Sequence, residues 1–210
     1  MTWKTISKKT LLNTGFFKIT EENCIKHNKK IVRKFFTINR PDVAIIAAFL
    51  KPGEKTHSLR KQAQTFQQYQ HQKIILIRQY RHAVKSTDYE IPAGYIEPKE
   101  KNITSAAKRE LLEETGYKAE KIIKIAETYS SAGLMTNKTH FFIALNAEKT
   151  QDQKLDPDEE IEVKITSWQE AIRMLEKGKI KDMGSITGIL LAQKFLKNIN
   201  KTQKKLNQPK

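Results

Sequence analysis

Residues 102–116 read NITSAAKRELLEETG, and their spacing predicts a helix. Asn102 stands where a cap belongs, Ala106, Ala107, Leu111 and Leu112 can face a core, and Gly116 stops the run. This helix breaks two local rules. Glu110 and Glu114 lie at i and i+4 with Glu113 between them at i+3, and like charges so placed oppose helix formation by roughly 0.2–0.5 kcal/mol per pair. Glu113 and Glu114 also fill the last turn, where the helix dipole disfavours anions by about 0.3–1 kcal/mol. A hard divalent cation held by oxygen ligands would turn the repulsion into binding. Glutamate is also a good helix former, and spacing alone leaves open an ordinary solvated face.

Outward from this helix, the chain alternates apolar runs with turns. DVAIIAAFL (42–50) is a continuous apolar run ended by Lys51-Pro52-Gly53, as expected of a strand buried on both faces. KIILIRQYR (73–81) is a second, and the Gln-rich residues 53–72 between them read as a polar insertion within a hairpin. YEIPAGYIE (89–97) reads as a strand running into a glycine turn. Strands are expected at about 121–129, 140–147 and 160–166, and helices at 168–178 and 185–199. Upstream, FFKI (16–19) and IVRKFFTI (31–38), set among polar turn clusters, suit a small β-meander. The expected organisation is an N-terminal β subdomain over 1–41, one α+β domain over 42–199, and a basic tail, 200–210, with almost nothing apolar to bury and therefore disordered.

Composition excludes several classes. No apolar run in the 210 residues approaches the roughly 18 needed to cross a bilayer, and MTWKTISKKTLLNTG lacks the apolar stretch of a secretory signal, so a cytoplasmic protein without membrane contact is expected. Cys24 is the single cysteine, which excludes an internal disulfide or a thiolate metal site and leaves oxygen or histidine ligands. The formal charge of +16 comes mostly from Lys spread along the chain, the pattern of a solvated surface that also steers small anions. With no stacking-aromatic pattern and no zinc-finger spacing, nucleic acid is not the expected partner.

Gly94, Glu100, Arg109, Glu110, Leu111, Glu113, Glu114, Gly116 and Tyr117 together resemble the signature of the Nudix hydrolases: Gly, five residues, Glu, seven residues, then Arg-Glu-apolar-any-Glu-Glu-any-Gly-apolar. Here eight residues separate Glu100 from Arg109, the extra one falling in the loop before the helix, and Tyr117 replaces the usual aliphatic. The resemblance implies the Nudix fold, an α/β/α sandwich around a mixed β-sheet, and catalysis with Mg2+, for which Mn2+ can substitute. It assigns metal ligation to Glu110 and Glu114 with help from Glu113 and from the carbonyl of Ala93, while Arg109 orients the carboxylates.

Further pieces, RQYRH (78–82), EIPAG (90–94), SSAGL (130–134), DPDEEIEV (156–163) and GKIKDMGSITGILLA (178–192), are similar in kind and order to the ADP-ribose pyrophosphatase branch. That likeness implies hydrolysis of a nucleoside diphosphate sugar, foremost ADP-ribose to AMP and ribose 5-phosphate. It implies a phosphate contact from Arg81, with Arg78 as second candidate, and a role for Glu90 at the terminal ribose or the metal shell. It also implies a homodimer built by the N-terminal meander, with Arg33, Lys34 and Phe36 serving the nucleoside pocket. In this branch a loop before a late strand carries the general base, and Asp156-Pro157-Asp158-Glu159-Glu160-Ile161-Glu162 matches it, Glu159 first and Glu160 second, with Glu162 turned outward. His82 and His140 are expected to be structural. Where relatives often show Ser-Pro-Gly and then an acid, this chain has Ser131-Ala132-Gly133 and Asn137, which bears on substrate preference. The rival readings are a Nudix hydrolase for GDP-mannose or a dinucleotide polyphosphate and, from another class, a nucleic-acid-binding module or RNA-cap hydrolase using the basic surface.

Overall fold

The computed structural model describes residues 3–26, 31–52 and 72–206, with only the backbone of 199–206. The polar insertion at 53–72 therefore lies, Gln72 apart, outside the described residues. Strands β1 (Trp3–Asn13), β2 (Lys18–Lys26) and β3 (Val32–Asn39) form an antiparallel meander in that order. Strands β4 (Val43–Leu50), β5 (Lys73–Arg81), β6 (Ser86–Glu90), β7 (Ala93–Tyr95), β8 (Tyr117–Tyr129), β9 (Lys138–Lys149) and β10 (Ile161–Ser167) form the main sheet. Its order is β10-β5-β4-β9-β8, with β6 paired to β5 and β7 to β4. The β4–β9 pair is parallel and the others antiparallel, so the sheet is mixed.

Why β4 is apolar throughout follows from its place. Its odd residues Ile45, Ala47 and Phe49 pack with Trp168, Met174, Ile189 and Leu196 of helices α2 (Trp168–Glu176) and α3 (Met183–Leu206). The even residues Ala44, Ile46 and Ala48 pack with Ala106, Ala107 and Leu111 of helix α1 (Ile103–Thr115). With helices on both faces, strand alternation leaves no solvent side, and each large side chain so buried contributes roughly 1.5–3 kcal/mol. This is the expected α/β/α sandwich.

Helix α1 starts and stops as the sequence dictates. The Asn102 side chain accepts from the Ser105 N–H at 2.9 Å, and Gly116, at φ 75°, sends its N–H to the Leu112 carbonyl at 2.8 Å. Leu112 is half-buried rather than in the core. At the far end, α3 continues to Leu206, so residues 200–206 of the expected disordered tail are helical. Lys, Gln and Leu there are good helix formers, and no proline lies between Met183 and Gln208. Among the described residues no helix is long and apolar enough to cross a membrane.

Candidate active site

Strand β7 and helix α1 build the site between them. Three successive residues of β7 each meet a helix side chain. The Ala93 N–H donates to Glu114 Oε2 at 3.0 Å, Gly94 faces the Glu110 carboxylate, and the Tyr95 carbonyl accepts from Arg109 Nη2 at 2.8 Å. The expected glycine turn is instead a strand, with Val43, Ala44 and Ile45 of β4 opposite Tyr95, Gly94 and Ala93. Glycine is required by close approach, because a Cβ on Gly94 would fall on the carboxylate of Glu110.

Arg109 organises the acids. Its Nε and Nη2 reach Glu100 Oε1 and Oε2 at 3.1 and 3.3 Å, and Nη1 reaches Glu110 Oε1 at 2.8 Å and Glu113 Oε2 at 2.9 Å. Burial works against the guanidinium's charge, but the bonds to Glu100 and Glu113 and the nearby Glu110 outweigh it and raise its pKa. Glu100 is itself held by the Glu97 N–H at 2.8 Å. The extra residue before the helix is thus absorbed in the loop, and Glu100 keeps its contact with Arg109.

At Glu110 and Glu114 burial outweighs the nearby positive charge. Glu114 is 3% exposed, and burial, then the charges of Glu110 and Glu159, push its carboxyl well above the usual range against the opposing Ala93 N–H and Arg81. Burial also leads in Glu110, which is pushed up to about 7 despite the adjacent Arg109, with Glu113 and Glu159 adding to the rise. Two carboxyls so penalised, Glu114 buried and Glu110 half-buried, one turn apart and converging on β7, fit a hard cation with all-oxygen ligands. Among the described residues no group of three or more Asp, Glu, His or Cys side chains is placed to hold a metal ion by itself. An open pair of this kind suits a hard divalent cation that keeps water and further oxygen ligands in its shell.

Arg81 and Glu90 lie beside this pair. Arg81 Nε and Nη2 reach Glu90 Oε1 and Oε2 at 2.7 and 2.5 Å. Glu90 is buried, and its bonds raise the guanidinium's pKa against burial, with the Asp182 and Glu114 charges helping. Arg78 lies on the opposite face of β5 by alternation, 3.4 Å from Glu162 Oε2 of β10. It is therefore separated by the sheet from the face that carries Arg81 and α1.

The acidic loop is stitched to the end of α1. Lys154 N–H donates to the Glu113 carbonyl at 2.8 Å, and Gln153 Nε2 donates to the carbonyls of Glu114 and Ile161 at 2.6 and 3.0 Å. This brings Glu159 within electrostatic reach of both Glu110 and Glu114. Glu159 is half-buried and its Oε2 accepts from the Asp156 N–H at 3.2 Å, whereas Glu160 is exposed. In the meander, the Arg33 guanidinium lies 5.4 Å from the Phe35 ring centroid, Lys34 pairs with Glu21 at 3.1 Å, and Phe36 is exposed. Their contacts stay within the meander. His140 is buried, with Nε2 3.0 Å from Asp42 Oδ2, and His82 is exposed. Asn137 is buried and donates to Ser130 Oγ at 2.8 Å.

Sequence reasoning missed the support behind Arg81. Asp88 accepts from the N–H groups of Lys181 and Asp182 at 2.9 and 3.0 Å, Asp182 Oδ2 accepts from the Ser185 N–H at 2.6 Å, and Ser185 Oγ accepts from the Ile91 N–H at 3.1 Å. One signal was available, Asp182 in a capping position immediately before a helical run.

Comparison with known proteins agrees with this geometry. The chain is 37% identical over 111 residues to an ADP-ribose pyrophosphatase of Bacillus subtilis, covering 52% of this chain and 60% of that protein. It is 30% identical over 122 residues to a methanol dehydrogenase activator of Bacillus methanolicus (58% and 65%), and 41% identical over 91 residues to a GDP-mannose pyrophosphatase of Yersinia enterocolitica (41% and 46%). The chain thus spans roughly half to two thirds of these curated relatives. A crystal structure of an ADP compounds hydrolase superposes with a TM-score of 0.73 over 94% of this chain and 96% of that one, at 16% identity, and so shares the fold. Residues 63–186, well over half of the sequence, match the NUDIX domain, and the chain belongs to that family.

Proposed function

We propose that this protein hydrolyses the pyrophosphate bond of a nucleoside diphosphate linked to a further group, with ADP-ribose, giving AMP and ribose 5-phosphate, as the foremost substrate and Mg2+ as the cofactor. The observation that carries this reading is the pair Glu110 and Glu114, set against β7 by Ala93 and Gly94 and pushed up in pKa by a burial that Arg109 and Arg81 do not offset. Bound there, Mg2+, or Mn2+ in its place, would neutralise the diphosphate and lower the pKa of an attacking water.

The chain's own residues supply the rest. Glu110 and Glu114 hold the cation, with Glu113 and the Ala93 carbonyl completing its protein ligands. Arg109 keeps the carboxylates in register through its bonds to Glu100, Glu110 and Glu113. Arg81, steadied by Glu90, offers its remaining N–H groups to a substrate phosphate. Glu159 takes the proton as water adds to phosphorus and the bridging P–O bond breaks, the leaving phosphate departing with its oxygen. A cytoplasmic homodimer formed through the meander would bring Arg33, Lys34 and Phe36 to the partner's nucleoside pocket. GDP-mannose is the second reading, favoured by the 41% identity to the Yersinia GDP-mannose pyrophosphatase.

The test is product analysis after incubating the full chain with Mg2+ and, separately, ADP-ribose, GDP-mannose, diadenosine polyphosphates and capped RNA. AMP and ribose 5-phosphate from ADP-ribose, abolished by EDTA, are expected as the fastest reaction. Turnover of capped RNA alone would overturn the substrate assignment.

A further inference from the structure

Tyr95 joins the N-terminal meander to the carboxylate helix. Its carbonyl holds Arg109, as above, while its ring is gripped from the other side of the chain. Phe16 meets the ring edge-on, with centroids 4.8 Å apart and planes at 80°. The Arg40 guanidinium lies 4.9 Å from the ring centroid, and Arg40 Nη2 donates to Tyr95 Oη at 2.7 Å. Phe16 belongs to the tip of the β1–β2 hairpin, a turn closed by the Thr14 N–H to the Phe17 carbonyl at 3.1 Å with Gly15 at φ 84°. Arg40 sits in the connector from β3 to β4. The next residue, Ile96, sends its N–H to the Asp42 carbonyl of that same connector at 2.9 Å.

Strand β7 is three residues long, which is too short to fix its own position by pairing. It is nevertheless the strip against which Arg109, Glu110 and Glu114 are registered. Metal ligands shifted by a fraction of an ångström lose affinity, and the groups that orient them matter nearly as much as the ligands. Phe16 is half-exposed at a hairpin tip, so its ring contributes little to the main core. Its contact with Tyr95 therefore falls on the largest side chain of β7.

We propose that Tyr95 is a positioning residue through which the hairpin tip and Arg40 set the metal-binding register of Glu110 and Glu114. The inference rests on reading those two glutamates as the metal ligands. A change in the meander, including its occupation by another chain, is then transmitted to the carboxylates along the path Phe16, Tyr95, Arg109.

The experiment measures Mn2+ binding, by the electron paramagnetic resonance signal of free Mn2+, together with kcat and KM, for the wild type and for Phe16→Ala, Phe16→Tyr, Tyr95→Phe and Tyr95→Leu. Phe16→Ala and Tyr95→Leu should each weaken Mn2+ binding about tenfold, with KM for ADP-ribose at saturating metal unchanged. Phe16→Tyr, which keeps the aromatic edge, should restore wild-type affinity, and Tyr95→Phe, which loses only the Arg40 bond, should fall between. Tyr95→Leu endangers the fold, but Phe16→Ala lies on an exposed turn and should melt with the wild type. Phe16→Ala binding Mn2+ as tightly as the wild type overturns the inference, as does a melting loss without a binding loss. A wild type that binds Mn2+ yet hydrolyses no substrate refutes the proposed function alone, because the variant comparison still decides this point. Absence of Mn2+ binding in the wild type overturns both.

Discussion

The Arg81 guanidinium closes on the Glu90 carboxylate as a fork, with the acid side chain 3% exposed and the base 43%. An arginine expected to meet substrate phosphate is therefore already committed along one edge. The commitment fixes its orientation and sustains a charge that burial would otherwise penalise. Arg81→Lys cannot make both bonds. It should cost about 1–3 kcal/mol, because one buried Glu90 oxygen is left short. Combining it with Glu90→Gln should recover part of the loss, since no buried charge remains. Urea denaturation of the two variants and the wild type checks this, and equal stability of Arg81→Lys and wild type would show that Glu90 depends on something else.

A pH dependence follows from the carboxylates on α1. Glu110 and Glu114 have pKa values raised above their ordinary 4.5, to about 7 for Glu110, so each holds its proton more tightly in the folded state. Their contribution is favourable below the unfolded value and is lost as pH rises through the folded values. In EDTA the melting temperature of the wild type should fall from about pH 5 to pH 8 relative to Glu114→Gln. Added Mg2+ should restore the wild type at the upper pH but not the variant, which should also have lost most turnover while keeping its fold. Parallel melting curves in EDTA would refute the buried-charge account.

The helix and its acids were legible because their signals are local. Asn102, Gly116 and the 110/113/114 spacing are read within fifteen residues, and the conflict between charge and helix dipole is visible without tertiary contacts. The apolar run at 42–50 marked the central strand for the same reason. Gly94 was misread as a turn residue, because its real constraint is the Glu110 carboxylate on another element. The fork between Arg81 and Glu90, the bond from Arg109 to Tyr95 and the chain through Asp88 and Asp182 join residues from different elements. No short-range period encodes such pairings. The helical continuation to Leu206 was missed because the absence of apolar residues was read as disorder, whereas the propensity of Lys and Gln carries the helix on.

Gly94→Ala tests the close approach on which the proposed metal site depends. Gly94 does not occupy the left-handed region, so its backbone accepts alanine, and the cost falls on the Glu110 side chain that must move away. Mg2+ affinity should drop about tenfold or more while the fold is kept. A Mg2+ titration of kcat, with circular dichroism as the control for folding, measures this. A wild-type titration curve would mean that Glu110 does not ligate from its present position.

The last prediction concerns the proton acceptor. Carboxylates bound to a cation are poor bases, so the acceptor should come from outside α1, and the 156–162 loop offers Glu159, Glu160 and Glu162. Glu162 is turned to the far face of β10, where it meets Arg78. Glu160 is exposed, whereas Glu159 is half-buried and its charge bears on both Glu110 and Glu114. The loop is tied to α1 at Gln153 and Lys154, and beyond that tie Glu159 is held by a turn in which its carboxylate accepts from Asp156 and its own N–H donates to the Asp156 carbonyl. Releasing one side-chain bond is enough to free the carboxylate for substrate. Glu159→Gln should lower kcat by roughly 10²–10⁴-fold with KM and Mn2+ affinity nearly unchanged, the signature of a group acting in the transition state, and Glu160→Gln should do little. The two variants are assayed side by side across pH, where loss of a general base should also remove the acidic limb of the kcat profile. If Glu160→Gln suffers the larger loss, the register of the loop shifts by one residue on substrate binding. If neither loses as much as about tenfold, the base lies outside this loop.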